Sequence, residues 1–306
     1  MEPGLPASRR RAAGRRLALV TAAALLAAPL TRPLAAEPSC GADTFDPATP
    51  PTAITASTAD QLDTLVRCVQ LDLDAGRWSV AGRRLDQARR AYDAQVLAAR
   101  PPDLPALLAR LAATRAIDGG AWPALARVPV GDDALLPWLG PLVRGVASAR
   151  AAWGTQDAAL LDQAREALRS LEGLALAIGP VSEPERARLI VQGAIAGAQY
   201  EREDMQLLLS AADELERRLD PGDGRWLPVV IAQELEADLL RITDRYAAAS
   251  DRYRAVIARR PHRVQSWIGL ADAYRRLGDV AQTSLAANQA RALWKDADPD
   301  ARNQLP

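Results

Sequence analysis

Between residues 230 and 295 the chain repeats itself at an interval of 34 residues. Ala237, Asp238, Arg241, Ala247 and Ala258 recur as Ala271, Asp272, Arg275, Ala281 and Ala292. Each copy, VIAQELEADLLRITDRYAAASDRYRAVIARRP and then VQSWIGLADAYRRLGDVAQTSLAANQARALWK, carries apolar residues at helical spacing on either side of a turn. A period of a few tens of residues is the mark of stacked helical hairpins. Two short antiparallel helices cannot cover their shared apolar stripe alone, so each hairpin must be buried by the next and the architecture has to be an array. Ala237, Ala249 and Ala271 are small enough to let helices cross closely, and Tyr253, Trp267 and Tyr274 are placed to fill the space between layers.

The second copy closely resembles a tetratricopeptide repeat. Counting from Val264, residues Trp267, Leu270, Ala271 and Tyr274 stand where that family has its W-x2-L-G-x2-Y signature, with Gly278 at the turn between helices. Counting from Val230, residues Ala249 and Tyr253 match the family's small and aromatic packing positions, and Pro261 the proline that ends its second helix. Gln233 and Glu236 replace the tryptophan and leucine in the first copy, and Thr283 and Ala287 replace the packing pair in the second. The resemblance implies an all-α, right-handed α-solenoid of antiparallel hairpins, about twelve helices in all.

Apolar residues make up 49% of the 306 while aromatics make up 4%, so the expected interior is Ala, Leu and Val in helices. The formal charge of the whole chain is zero, but residues 1–36 hold six arginines against one glutamate, which leaves the remainder at −5. Such a balance does not attract a polyanion, and no nucleic-acid partner is expected.

Residues 1–36 look like an export signal: Arg9, Arg10, Arg11, Arg15 and Arg16 form a basic head, Leu17 to Leu30 is uncharged, and Ala35 and Ala36 follow. The uncharged run would span only about 21 Å as a helix against a hydrocarbon core of about 30 Å, so it reads as a cleaved signal and no stable membrane span is expected. Ser8-Arg9-Arg10 leaves twin-arginine export open beside the general route. The mature protein is then periplasmic or secreted. There the two cysteines, Cys40 in the proline-rich leader 37–56 and Cys68 on the first helix, can form one disulfide. Two unpaired thiols are the alternative.

Residues 57–118 read as a degenerate first repeat, opened by Thr58 and Gln61 at capping-box spacing, turning near Gly76, and followed beyond Pro101, Pro102 and Pro105 by a helix ending near Ile117. Residues 119–225 read as divergent hairpins. A long irregular connection over 119–133 leads to a hairpin turning at Gly154, and Ser182, Pro184 and Glu185 mark a helix start. The two clear repeats occupy 226–295, and 296–306 reads as a frayed tail.

Motifs for catalysis or cofactors are scarce. A single histidine, His262, follows a repeat-ending proline and reads as a solvated loop residue, so a histidine-based nucleophile system is hard to assemble. No C-x-x-C, H-E-x-x-H or phosphate loop occurs, and no metal or other cofactor is expected. Asp72 to Gly76 departs from a calcium loop in its glycine position and in Arg83. Paired carboxylates remain, with Glu234 and Asp238 on one helix face and Glu201, Glu203 and Asp204 at a turn. They leave a helical-toroid glycoside hydrolase as one alternative.

The positive expectation is a non-catalytic scaffold for a protein or peptide. The resemblance implies a concave surface lined by the first helix of each repeat: Ile231, Glu234, Asp238, Arg241 and Ile242 in one copy, and Gln265, Ile268, Asp272, Arg275 and Arg276 in the next. Because the charges recur in register, that surface would be striped with both signs, which suits an extended polypeptide better than a polyanion. The competing expectation is a plain solvated face with internal ion pairs such as Asp238 to Arg241. A structural part in an exopolysaccharide or outer-membrane export machine would instead show an apolar patch away from that surface.

Overall fold

A computed structural model describes residues 56–93, 104–120, 122–125, 136–220 and 228–306. The export signal and the leader with Cys40 lie outside the described residues, as do most of the irregular connection and the turn at 221–227. Cys68 is buried on the first helix. The expected Cys40 to Cys68 bond therefore falls partly outside what is described.

The described residues are all helical, with no strand, and the helices pack in adjacent antiparallel pairs. Helices α1 (Ala56–Asp74) and α2 (Trp78–Asp93) pair, α3 (Leu104–Asp118) lies against both, and α4 (Trp122–Leu125) is a single turn. Then come α5 (Leu139–Ala152) with α6 (Ala158–Ile178), and α7 (Glu183–Ala198) with α8 (Arg202–Leu219). The two sequence repeats are α9 (Ala232–Ile242) with α10 (Tyr246–Arg259), and α11 (Val264–Leu277) with α12 (Val280–Leu293), before a final turn, α13 (Pro299–Arg302). The leading helices of successive pairs also touch, α5 to α7, α7 to α9 and α9 to α11, and make one continuous layer.

Local chemistry sets most boundaries. The Ser182 hydroxyl accepts from the Glu185 N–H at 3.3 Å, with Pro184 in the first turn of α7. Asp157 caps α6 by accepting from Ala159, and Asp279 caps α12 by accepting from Gln282. Gly278 ends α11 at φ +77°, a left-handed conformation that a side chain would strain. Ala237, Ala249, Ala271 and Tyr253 are buried at the crossings the repeat pattern assigned them. Glu236, which stands where the family resemblance calls for leucine, is buried and held by Arg252 at 2.9 Å.

The segment after α12 is not frayed. Trp294 is buried with its ring edge against Trp78, centroids 5.7 Å apart, and its indole N–H donates to the Asp74 carbonyl at 2.8 Å. The Asp298 N–H donates to the Gly76 carbonyl at 2.9 Å, and the Asp298 carboxylate accepts from the backbone N–H and hydroxyl of Ser79. Ala297 and Ala301 are buried beside them. The sequence expectation failed because the apolar residues here, Trp294, Ala297 and Ala301, are too few to form a helical stripe. They are covered instead by the α1–α2 turn some 220 positions away in sequence. The last hairpin thus meets the first, and the array closes on itself.

Candidate functional site

Helices α3, α4, α5, α9, α11 and the last residues of the chain surround a cavity of about 630 Å³. Nine of the ten residues assigned to the groove from sequence line it: Ile231, Glu234, Asp238, Arg241, Gln265, Ile268, Asp272, Arg275 and Arg276. Ile242 does not; it is exposed at the end of α9. Asp118, Trp122, Arg150 and Arg263 join the lining without having been singled out in the sequence.

The charges form an ordered ladder. Arg150 donates to Asp238 at 2.6 Å, and the Tyr253 hydroxyl donates to the other oxygen of Asp238 at 2.5 Å while accepting from Arg241 Nε at 3.2 Å. Arg241 then reaches into the next repeat and donates to Asp272 at 2.8 Å, and Asp272 also accepts from Arg275. The in-register recurrence of Asp and Arg therefore has a physical reading: the arginine of one repeat bridges to the aspartate of the following one. Arg150 closes the near end and is itself stacked over the Trp122 ring at 4.2 Å.

A second knot sits at the α3 end. Arg263 donates both terminal nitrogens to Asp118 at 2.7 Å each, and its Nε and Nη2 bond Glu234 at 3.0 and 2.7 Å, with the Ser266 hydroxyl donating to Glu234 at 2.5 Å. This fork ties α3 to α9 and α11.

Burial works against the charge of Asp238, but the guanidinium groups of Arg150 and Arg241 and the Tyr253 hydroxyl outweigh it, so its carboxyl is held below the ordinary aspartate value. Asp272 is held down in the same way by Arg275 and Arg241. At Asp118 burial dominates and raises the carboxyl, with Arg263 opposing. The Tyr253 hydroxyl is pushed up by burial and by the adjacent Asp238. Each of these acids thus has a cationic partner already seated on it. Glu234 and Asp238, proposed from sequence as a catalytic pair, are held by different arginines: Arg263 for Glu234, Arg150 for Asp238. The other acidic group, Glu201, Glu203 and Asp204, lines a separate, more open cavity with Arg202 and Arg245. His262 is exposed, as expected.

The missed residues share a cause. Asp118 and Arg263 are 145 positions apart, and Arg150 and Asp238 are 88 apart, so neither partner announces the other. One faint signal existed: Asp118 ends a helix, where the dipole disfavours a carboxylate, and such a residue needs a cation from elsewhere.

Comparison of the chain with family models, with curated proteins and with solved structures gives no match.

Proposed function

We propose that the chain is an exported, tetratricopeptide-like right-handed solenoid of a bacterial envelope that holds an extended polypeptide in the cavity walled by α3, α4, α5, α9, α11 and its last residues, without catalysis. The observation that carries this reading is that nine of the ten residues assigned by the repeat register line one cavity, where they present alternating charge with apolar Ile231 and Ile268 between. Alternating, mutually neutralised charge offers hydrogen bonds along a backbone and rejects a uniformly charged polymer. The cavity volume matches a few peptide residues rather than a folded domain.

The test is capture from envelope extract by the mature chain from Glu37 onward, alongside Asp272→Arg/Arg275→Glu. A partner held by the first and lost by the second supports the reading; a partner retained by both moves the interaction elsewhere. The export-machine reading has an observation of its own, an exposed apolar turn between α6 and α7 with Leu176 (90% exposed), Ile178 and Val181 outside the groove. Retention by the groove variant together with loss on Leu176→Ser/Ile178→Ser would favour that reading.

A further inference from the structure

Beyond the latch at Asp298 the chain runs through α13 and on to residues 303–306, and Gln304 and Pro306 line the same cavity as the charge ladder. The Gln265 side-chain amide donates to Gln304 Oε1 at 3.0 Å. The Gln304 amide in turn points at the backbone carbonyl of Asp118 at 3.4 Å, and Gln265 lies at the same distance from that carbonyl. Asp118 is the last residue of α3, so its carbonyl has no intrahelical donor. The three groups close a triangle: the Gln265 amide donates to the Gln304 carboxamide and, at longer range, to the Asp118 carbonyl, and the Gln304 carboxamide meets this donor and this helix-end acceptor at once because it both accepts and donates. Leu305 packs against the core beneath α1 and α2, and Arg291 donates to the Pro306 carbonyl, so the segment is pinned on both sides of Gln304.

Gln265 belongs to the set that the repeat register assigns to a ligand, and here it is engaged by the chain's own residues. We infer that residues 303–306 are a tethered occupant of a carboxamide-reading subsite built from Gln265 and the Asp118 carbonyl, and that an incoming extended peptide with a glutamine or asparagine side chain displaces them. The inference rests on the groove reading above and adds to it the ligand feature read at this end and an internal competitor. A short tether supplies an effective concentration on the order of millimolar, so a free peptide that wins at lower concentration must gain contacts further along the ladder.

The probe is a fluorescein-labelled octapeptide of residues 299–306, Pro-Asp-Ala-Arg-Asn-Gln-Leu-Pro, and its Gln304→Leu counterpart, with binding read by anisotropy. The full chain is compared with a variant lacking 304–306, which keeps the latch residues Trp294, Ala297, Asp298 and Ala301, its melting curve serving as the folding control. The shortened chain should bind the octapeptide at least about ten-fold more tightly than the full chain. The Gln304→Leu peptide and a Gln265→Ala receptor should each lose that binding. Equal binding by full and shortened chains, no binding by a correctly melting shortened chain, or indifference to Gln304→Leu would each overturn the inference. If the octapeptide fails while envelope capture still depends on Asp272 and Arg275, only the subsite falls. If the octapeptide binds and capture is indifferent to those residues, the wider groove reading falls instead.

Discussion

Gly269 lies inside α11, where replacing glycine with alanine ordinarily improves a helix by about 1 kcal/mol. The packing reverses that sign. A Cβ at position 269 would stand 2.3 Å from Tyr253 Cζ, 2.5 Å from Cε1 and 2.6 Å from the hydroxyl oxygen. Carbon atoms rest at about 3.5–4.0 Å, so the ring would have to retreat by more than ~1 Å. It has nowhere to go: Tyr253 is wholly buried and its hydroxyl is fastened to Asp238 and Arg241. Overpacking costs about 1–3 kcal/mol. Severing a hydrogen bond to an ionised group costs about 1.5–3 kcal/mol more. Against the helix gain of ~1 kcal/mol, Gly269→Ala should destabilise by about 3 kcal/mol. For a chain of this size that lowers the melting temperature by about 5–6 °C. Thermal denaturation followed by circular dichroism reads it. Gly278→Ala is the control, since its φ of +77° is strained but nothing stands within 4 Å of its Cβ, so it should cost ~1–2 kcal/mol. A Gly269→Ala protein that melts at or above the parent would show that Tyr253 is not wedged against α11, and the anchoring of Asp238 would lose its basis.

Acid stability follows from the ladder. Asp238 and Asp272 are held below the ordinary value of 3.8, so they contribute stability above that value and lose it as pH falls through their lower folded values. Asp118 and Glu216, raised by burial, act the other way and relieve strain as they take up protons on mild acidification. The urea midpoint should therefore rise slightly below neutral pH and fall below about pH 4, and Asp238→Asn should flatten that fall; an unchanged acid limb refutes the assignment. Trp294→Ala removes the largest side chain at the closure and should cost about 3–5 kcal/mol, with hydrogen exchange quickening first in α1 and α2. Uniform quickening across α5 to α10 would argue against a local latch. A peptide map without reductant should join Cys40 to Cys68, and reduction should cost about 3–4 kcal/mol; two thiols open to alkylation after denaturation refute the pairing.

The repeat region was legible because its determinants are local. The cap at Ser182, the turn glycines Gly76, Gly154 and Gly278 and the small crossing alanines act over one or two turns, and a fixed period carries the groove register from one copy to the next, whereas the caps at Asp157 and Asp279 were not read in advance. What escaped was long-range. The fork of Arg263 on Asp118, the reach of Arg150 to Asp238 and the docking of Trp294 on the α1–α2 turn each join residues at least 88 positions apart. No period links them, and each depends on the array bending far enough to bring its ends together. The role of Tyr253 was half visible: its buried ring follows from the packing pattern, whereas its hydroxyl finds Asp238 only once α9 and α10 are side by side.

The ladder also decides which groove substitution is cleanest. In the charge-swapped pair Asp272→Arg sets a new guanidinium against Arg241 and breaks the bridge between repeats, even though positions 272 and 275 still carry opposite charges, so the variant disturbs packing as well as recognition. Arg276 is different. It lines the cavity, no carboxylate lies in ion-pair range of it among the described residues, and its guanidinium rests 6.0 Å from the Tyr246 ring. It is thus a lining cation whose charge the ladder does not consume. Arg276→Gln removes that charge and keeps a polar, flexible, if shorter, side chain, at the cost of a few tenths of a kcal/mol of helix-end electrostatics in the last turn of α11. Melting should stay with the parent, while capture of an acidic partner weakens and becomes less sensitive to salt. If capture by Arg276→Gln is unchanged at both low and high salt, the ligand does not reach the far end of the ladder. Recognition would then be confined to the end where Gln265, Ile268 and Gln304 meet.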